Sequence, residues 1–324
     1  MSDLGGIWVE GLQKVPVIDL SLDDETVGKL FYDACSTTGA FYITNHGLSE
    51  SFVDGYLSMV KKMYDLPLKE KMKLHSNEKN RGYVPMGKEI LSKDQHAKAD
   101  TKEGFLLTRE IPASSDEAKL PLHGQNQWFD EAILPGFRKA TENFQAAMTA
   151  LATRLLGYLE ISLGLPKDFF VKFFDRPMDF LKLLKYHPVV SDPKNGIFAA
   201  GPHRDYGVAT IIATDEVPGL QVEIEGVWND VPPISGAFMI VTGDLLERWT
   251  NGKFKSVLHR VINTEGKERY SVGFFYEPTF DTLVEVIPSC CNGQPPKHPP
   301  ITSGQHTLQK MTSHVHAGYG NSSA

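Results

Sequence analysis

Residues 15–20 (VPVIDL) alternate apolar and polar positions and are rich in β-formers, which predicts a strand. Ser21, Asp23, Asp24 and Glu25 follow, a helix start with its acids at the positive end of the helix dipole. A second short strand is expected at Phe41 to Thr44 (FYIT), closed by His46-Gly47. Beyond it Phe52, Tyr56, Met59, Val60 and Met63 recur at three-to-four spacing, the signature of a helix with one buried face. Residues 76–125 are polar, broken by Gly and Pro and weakly periodic, so loops and short elements covering a site are expected there.

The strongest helical signal runs from about residue 134 to 164, where Phe144, Met148, Leu151, Leu155 and Leu159 recur every three or four residues. Gly164-Leu165-Pro166 ends it. The period then changes to two. LKLLKY (181–186), VATIIAT (208–214), LQVEIEG (220–226), AFMIVTG (237–243), SVLHRVI (256–262) and RYSVGFFYE (269–277) are short β runs separated by Pro, Gly, Asn and Asp. They predict a sandwich or a barrel. The last 40 or so residues carry Pro295, Pro296, Pro299 and Pro300 and end in GYGNSSA, so an irregular connection with one helix and a mobile tip is expected. There is no internal repeat.

Composition narrows the class. At 41% hydrophobic and 23% charged residues, the 324-residue chain can bury a large core. Thirty-three Lys and Arg against forty Asp and Glu give a net charge of -7 without a basic stripe, which leaves nucleic-acid binding without electrostatic support. No stretch approaches the roughly 18 apolar residues that span a bilayer, and MSDLGGIWVEG is acidic where a signal peptide would be basic and then apolar, so no membrane association and a cytoplasmic location are expected. Cys35, Cys290 and Cys291 are too few and too badly spaced for a disulfide framework or a Cys-rich zinc site.

The candidate chemistry begins at His203-Arg204-Asp205, where a loop (NGIFAAGP) enters an apolar β run. If the three lie on a strand, imidazole and carboxylate point to one face. His259 lies in a later strand that a sandwich could bring alongside. Two histidines and one carboxylate suit a divalent first-row metal that keeps open coordination positions. Alone, the H-x-D pair would be weak evidence. Arg269-Tyr270-Ser271 strengthens it, because a guanidinium fork and a hydroxyl on one strand face can grip a carboxylate. The apolar run VGFFY behind Arg269 turns that face inward, where an unpaired guanidinium would be costly.

With these residues in place the sequence resembles the 2-oxoglutarate/Fe(II)-dependent dioxygenases of the isopenicillin-N-synthase-like group, over about residues 14 to 310. The N-terminal motifs are VPVIDL, GAFYITNHGL (39–48), LPLKEKMKL (66–74), RGYVP (81–85) and TKEGF (101–105). The later ones are KYHP (185–188), HRDYG (203–207), PGLQV (218–222), GDLLERWTNGKFKSVLHRV (243–261) and RYSVGFFYEP (269–278). His203, Asp205 and His259 occupy the family's iron-ligand positions, and Arg269 and Ser271 its cosubstrate-carboxylate positions.

The resemblance implies an α+β fold, a distorted double-stranded β-helix (jelly roll) with flanking helices including the long one. It divides the chain into an N-terminal region 14–115, a long-helix segment 116–177, a core 178–280 and an extension 281–324. It implies Fe(II), 2-oxoglutarate and O2 as cofactor and cosubstrates, succinate and CO2 as products, and a small-molecule substrate oxidised at a C–H bond by a monomer. Because Asp205 is retained, halogenation is disfavoured. Tyr186 is a further candidate for the cosubstrate, although KYHP departs from the plant subgroup's Asn-Tyr-Tyr-Pro. Tyr206, Phe275 and Tyr83 are candidates for the substrate cavity. Arg204 stands where Thr is frequent and is expected to face the cavity mouth or solvent; His187 is expected to pack or hydrogen-bond rather than ligate. His314-Val315-His316 resembles a metal pair but is expected to be solvated in the tail. The competing readings are a 2-oxoglutarate-independent oxidase of the same fold, a zinc hydrolase lacking a convincing general base, and a non-catalytic binding module.

Overall fold

The structure, a computed structural model, describes residues 14–91 and 98–313. Strands β1 (Val17–Asp19) and β2 (Ala40–Thr44) flank helix α1 (Asp24–Thr37), and helix α2 (Glu50–Tyr64) follows, as the periodicity predicts. Both helices begin on side-chain caps. The Asp23 carboxylate accepts from the Thr26 amide at 2.9 Å and Ser49 Oγ from the Phe52 amide at 3.3 Å, each serving a donor without an intrahelical partner.

Within residues 76–125, where loops and short elements are expected, the short elements are strands. After the short helix α3 (Leu68–Met72), strands β3 (Gly82–Val84) and β4 (Lys102–Thr108) pair antiparallel. The KEGFLLT of β4 does not alternate because both its faces are covered, and its charged residues are neutralised inside: Lys71 reaches Glu103 at 2.9 Å, and Lys102 reaches Glu89 at 3.0 Å.

Helix α4 (Phe137–Leu163) buries Phe144, Met148, Leu151, Leu155 and Leu159, and Gly164 closes it in the left-handed conformation. Eight strands come next: β5 (Pro177–Tyr186), β6 (Ala200–His203), β7 (Ala209–Thr214), β8 (Leu220–Ile224), β9 (Val227–Asp230), β10 (Phe238–Thr242), β11 (His259–Val261) and β12 (Arg269–Thr279), with helix α5 (Asp244–Trp249) after β10. The chain goes on through β13 (Leu283–Val284), paired to β14 (Ile301–Thr302), and helix α6 (Ser303–Ser313). His314 and His316 lie outside the described residues.

A large sheet has the order β1-β2-β10-β7-β12-β5-β4-β3, parallel only at β1-β2, and a small antiparallel sheet the order β6-β11-β8-β9. Tyr42, Met239 and Val241 of the large sheet and Val222, Ile224 and Val261 of the small one form one buried cluster between them. The β run is therefore a sandwich rather than a barrel. Period-two alternation on β12 sorts its side chains: Tyr270, Val272, Phe274 and Tyr276 pack with α4 on the outer core, while Arg269, Ser271, Gly273, Phe275 and Glu277 line a cavity on the other face. Among the described residues no helix is long and apolar enough to cross a membrane.

Candidate metal centre and its cavity

One donor atom each from His203, Asp205 and His259 lie within 4.8 Å of one another. The Nε2 atoms of His203 and His259 stand 3.8 and 3.7 Å from Asp205 Oδ1. The sequence expectation of a single strand carrying His203 and Asp205 is corrected by the structure. His203 ends β6 in the small sheet, and Asp205 lies in the turn that crosses to β7 in the large one. The two still converge because the crossing occurs at the site itself.

That turn is pinned from below by the start of α5. Asp244 N–H donates to Asp205 O at 2.9 Å, Leu245 N–H to Tyr206 O at 3.0 Å, and Gly243 N–H to Val208 O at 3.2 Å. A Cβ at Gly243 would sit 2.4 Å from Gly207 O and 3.1 Å from Asp205 O, so only glycine lets the β10–α5 corner approach this closely. Thr210 Oγ1 donates to Asp205 Oδ2 at 2.5 Å, leaving Oδ1 toward the histidines.

Each histidine places Nδ1 near a main-chain carbonyl, Gly201 O at 2.8 Å for His203 and Val257 O at 3.3 Å for His259. With the proton on Nδ1, both Nε2 lone pairs face the common centre. Burial, and then the neighbouring His259, hold His203 well below the ordinary imidazole value, so its neutral, ligating form is favoured. The donor set, two imidazoles and one carboxylate, fits Fe(II) with positions left open.

The cavity beside this trio has a volume of about 170 Å³, comparable with the roughly 150 Å³ that holds a benzene, and so admits a small organic ligand. Arg269, Ser271 and Tyr186 line it, as do Tyr206 and Phe275. Arg269 is 4% exposed; its Nε donates to Val217 O at 3.1 Å, its guanidinium lies 4.9 Å over the Tyr186 ring, and its buried Nη1 has no partner among the described residues. Ser271 Oγ donates to Tyr186 Oη at 3.3 Å. A buried guanidinium nitrogen without an acceptor is costly, and the carboxylate of a cosubstrate would satisfy it.

Tyr83, expected at the cavity, is outside its lining. It is 2% exposed, and its hydroxyl donates to the Glu103 carboxylate in the core; strand alternation gives the cavity its neighbour Val84 instead. Arg204 is exposed and donates to Ser256 O. His187 Nε2 lies 3.2 Å from Glu103 Oε1 and takes no place in the trio.

Several lining residues escaped sequence reasoning. Glu277 shares the parity of Arg269, so the rule that found Phe275 could have found it. Burial pushes its carboxyl up to about 7, offset in part by the hydrogen bond from Thr307 on α6. Lys102, Glu89 and Lys182 form a charged wall, Lys182 Nζ reaching Glu89 Oε1 at 2.5 Å. Lys102 stands in one row with Tyr186 and Arg269 across β4, β5 and β12, a register invisible without the sheet.

A profile of the 2OG-Fe(II) oxygenase superfamily matches residues 178–278, and one described as the N-terminal part of non-haem dioxygenase in morphine synthesis matches residues 15–131. The chain is 33% identical to azadirone synthase LFS of Melia azedarach over 311 residues, 93% of each chain. It is 34% identical to the 2-oxoglutarate-Fe(II) type oxidoreductase hxnY of Emericella nidulans over 309 residues, 89% of this chain and 86% of the relative. The crystal structure of a full-length Neurospora crassa protein in complex with α-KG is similar at a TM-score of 0.83 and 28% identity, over 94% of this chain and 98% of that one.

Proposed function

Because this chain belongs to the 2-oxoglutarate/Fe(II)-dependent oxygenases, which use Fe(II), 2-oxoglutarate and O2, we propose that it activates a C–H bond of a small organic molecule by hydroxylation, desaturation or oxidative cyclisation. The observation that carries this reading is the unpartnered Nη1 of buried Arg269, in the same cavity as the His203–Asp205–His259 trio. An orphaned guanidinium beside a hydroxyl pair calls for a carboxylate, and the far carboxylate of 2-oxoglutarate supplies one.

In this reading His203, Asp205 and His259 hold the iron. When bound, it supplies the redox chemistry that couples decarboxylation of 2-oxoglutarate to succinate and CO2 with oxidation of the substrate. Arg269 forks onto the far carboxylate of 2-oxoglutarate, with Ser271 and Tyr186 adding hydroxyl hydrogen bonds. With Asp205 present as a third ligand beside the two histidines, oxygenation is favoured over halogenation. Tyr206 and Phe275 face the substrate, and the apolar wall of Leu184, Ile212 and Leu220 excludes water from it.

The architecture supports the same proposal. Strands β5 to β12 divide four and four between the sheets, the wiring of a jelly roll or double-stranded β-helix. Residues 178–280 then form the core, 14–115 extend its large sheet, 116–177 supply the long helix, and 281–324 are the extension. A cytoplasmic, monomeric state is part of the proposal.

Anaerobic titration of the iron-loaded protein with 2-oxoglutarate is expected to raise a weak visible charge-transfer band, and a substrate screen in air to release succinate. Iron bound without that band, or turnover that needs no 2-oxoglutarate, would overturn the assignment and move Arg269 to a substrate carboxylate.

A further inference from the structure

The His203 imidazole is tied to a second layer of buried charge. Its Nδ1 lies 2.8 Å from Gly201 O, and the other polar group of the same residue, Gly201 N–H, donates to Asp100 Oδ1 at 2.9 Å. β6 is an edge strand, so on its free side that amide would lack a ladder partner. The segment before β4 supplies one. Asp100 accepts from Gly201, and the neighbouring Thr101 donates from N–H to Phe198 O at 3.0 Å and from Oγ1 to the same carbonyl at 3.2 Å.

Asp100 is itself held. It is 1% exposed, and its Oδ2 contacts Lys102 Nζ, which also reaches Glu89 Oε2 at 3.0 Å. Burial raises the Asp100 carboxyl above its ordinary value, while Lys102 and the Gly201 amide oppose that rise. A buried carboxylate with a buried ammonium on one oxygen and a single main-chain donor on the other has little freedom to turn. Gly201 has no side chain to wedge it in place, so the bonds at its two ends add to the β11 pairing of Ala200 and His203 on either side in fixing its orientation.

We propose that Asp100 is a positioning residue for the metal ligand His203, acting through both polar groups of Gly201. The proposal rests on the reading of His203 as an iron ligand. Asp100 touches neither metal nor substrate; it sets where the Gly201 carbonyl points, and that carbonyl sets the tautomer and tilt of the imidazole.

The test is an anaerobic Fe(II) titration of the full-length apoprotein. Asp100→Ala is expected to raise the Fe(II) dissociation constant about tenfold or more, the range for loss of a partner behind a ligand. Asp100→Asn keeps a carbonyl acceptor for Gly201 N–H and is expected to recover most of the affinity. A purely structural role would lower the melting temperature and leave the affinity of the folded protein unchanged, and that result would overturn the proposal. Equal losses in the two variants would overturn it too, since the acceptor would then be irrelevant. If Asp100→Ala does not fold, amide exchange in the wild-type apoprotein decides: slow exchange at Gly201 supports the link, and exchange as fast as in an open edge strand rejects it. A wild-type protein that takes up no Fe(II) would sink the reading of the site, and the Gly201 measurement would still decide the Asp100 contact.

Discussion

His203 and His259 are direct partners across the β6–β11 pair, their ring centroids 4.2 Å apart, and each sets its Nδ1 near the carbonyl two residues before it, Gly201 or Val257. The small sheet thus presents two imidazoles with matched main-chain partners at Nδ1, and the large sheet's leading turn presents Asp205 to both. Replacing either histidine by Ala is expected to weaken Fe(II) binding by at least about 100-fold, beyond the loss of a partner behind a ligand, and to abolish turnover. Metal titration of the folded variants checks this; near-normal iron affinity in either would reject the trio.

Arg269 provides a separate handle on the cosubstrate. Replacement by Leu removes a charged fork whose Nη1 is otherwise unmet, and is expected to weaken 2-oxoglutarate binding about 100-fold while Fe(II) affinity holds. Lys in its place keeps the charge and loses the planar fork, so it should recover only part. The charge-transfer band, followed against 2-oxoglutarate concentration, reads both. Unchanged affinity in the Leu variant would place the far carboxylate elsewhere.

What the sequence made legible follows from what each pattern measures. Period-two runs located β5, β7, β8, β10 and β12, and along β12 Phe275 shares the parity of Arg269 and lines the same cavity. Parity failed for His203 and Asp205 because the chain leaves one sheet between them, a break that no local pattern reports. β4 was hidden because its Lys102 and Glu103 look solvated until their buried partners Glu89, Asp100 and Lys71 are brought in from outside the strand. Tyr83 carried an aromatic's ambiguity, and only the fold shows its hydroxyl on Glu103.

Gly243 tests the corner beneath the metal site. An Ala there would put Cβ 2.4 Å from Gly207 O, a backbone atom that cannot swing aside as a side chain can. Relief of the clash must move the turn that carries Asp205. The variant is expected to lose about 1–3 kcal/mol of stability, as overpacked sites do, and to bind Fe(II) about tenfold more weakly through the displaced carboxylate. Thermal melts with and without Fe(II) separate the two effects, and an apoprotein as stable as wild type with full iron affinity would contradict the close packing.

Tyr83→Phe distinguishes a core tyrosine from a cavity one. The lost hydroxyl bond is to the carboxylate of Glu103, which keeps Lys71 at 2.9 Å and the nearby His187. A hydrogen bond to a charged group is worth about 1.5–3 kcal/mol, so denaturant unfolding should show a loss of that order. The KM for the organic substrate should stay at its wild-type value, whereas a rise in KM with unchanged stability would return Tyr83 to the cavity.

Helix α6 closes one side of the cavity through two titrating contacts of opposite sign. His306 Nε2 lies 3.0 Å from Tyr206 O. Burial first, then Lys310 and Arg248, outweigh the Tyr206 carbonyl and Asp244 and hold the imidazole down at about 4 against an ordinary 6.5. Its contribution to stability is full above pH 6.5 and is lost as pH falls toward 4, because the unfolded chain takes the proton first. Glu277, bonded by Thr307 of the same helix, runs the other way. Its carboxyl is raised from 4.5 to about 7, so its contribution is full below pH 4.5 and fades as pH rises through 7. Between about pH 7 and 5 the two effects largely cancel in the wild-type protein, and its melting temperature alone would not reveal them. His306→Gln removes one side of the balance. Relative to wild type, the variant should gain on the order of 2 kcal/mol as pH falls from about 7 to 5. Paired denaturant melts at the two pH values measure that difference, and a difference independent of pH would show that His306 is not held neutral against the cavity.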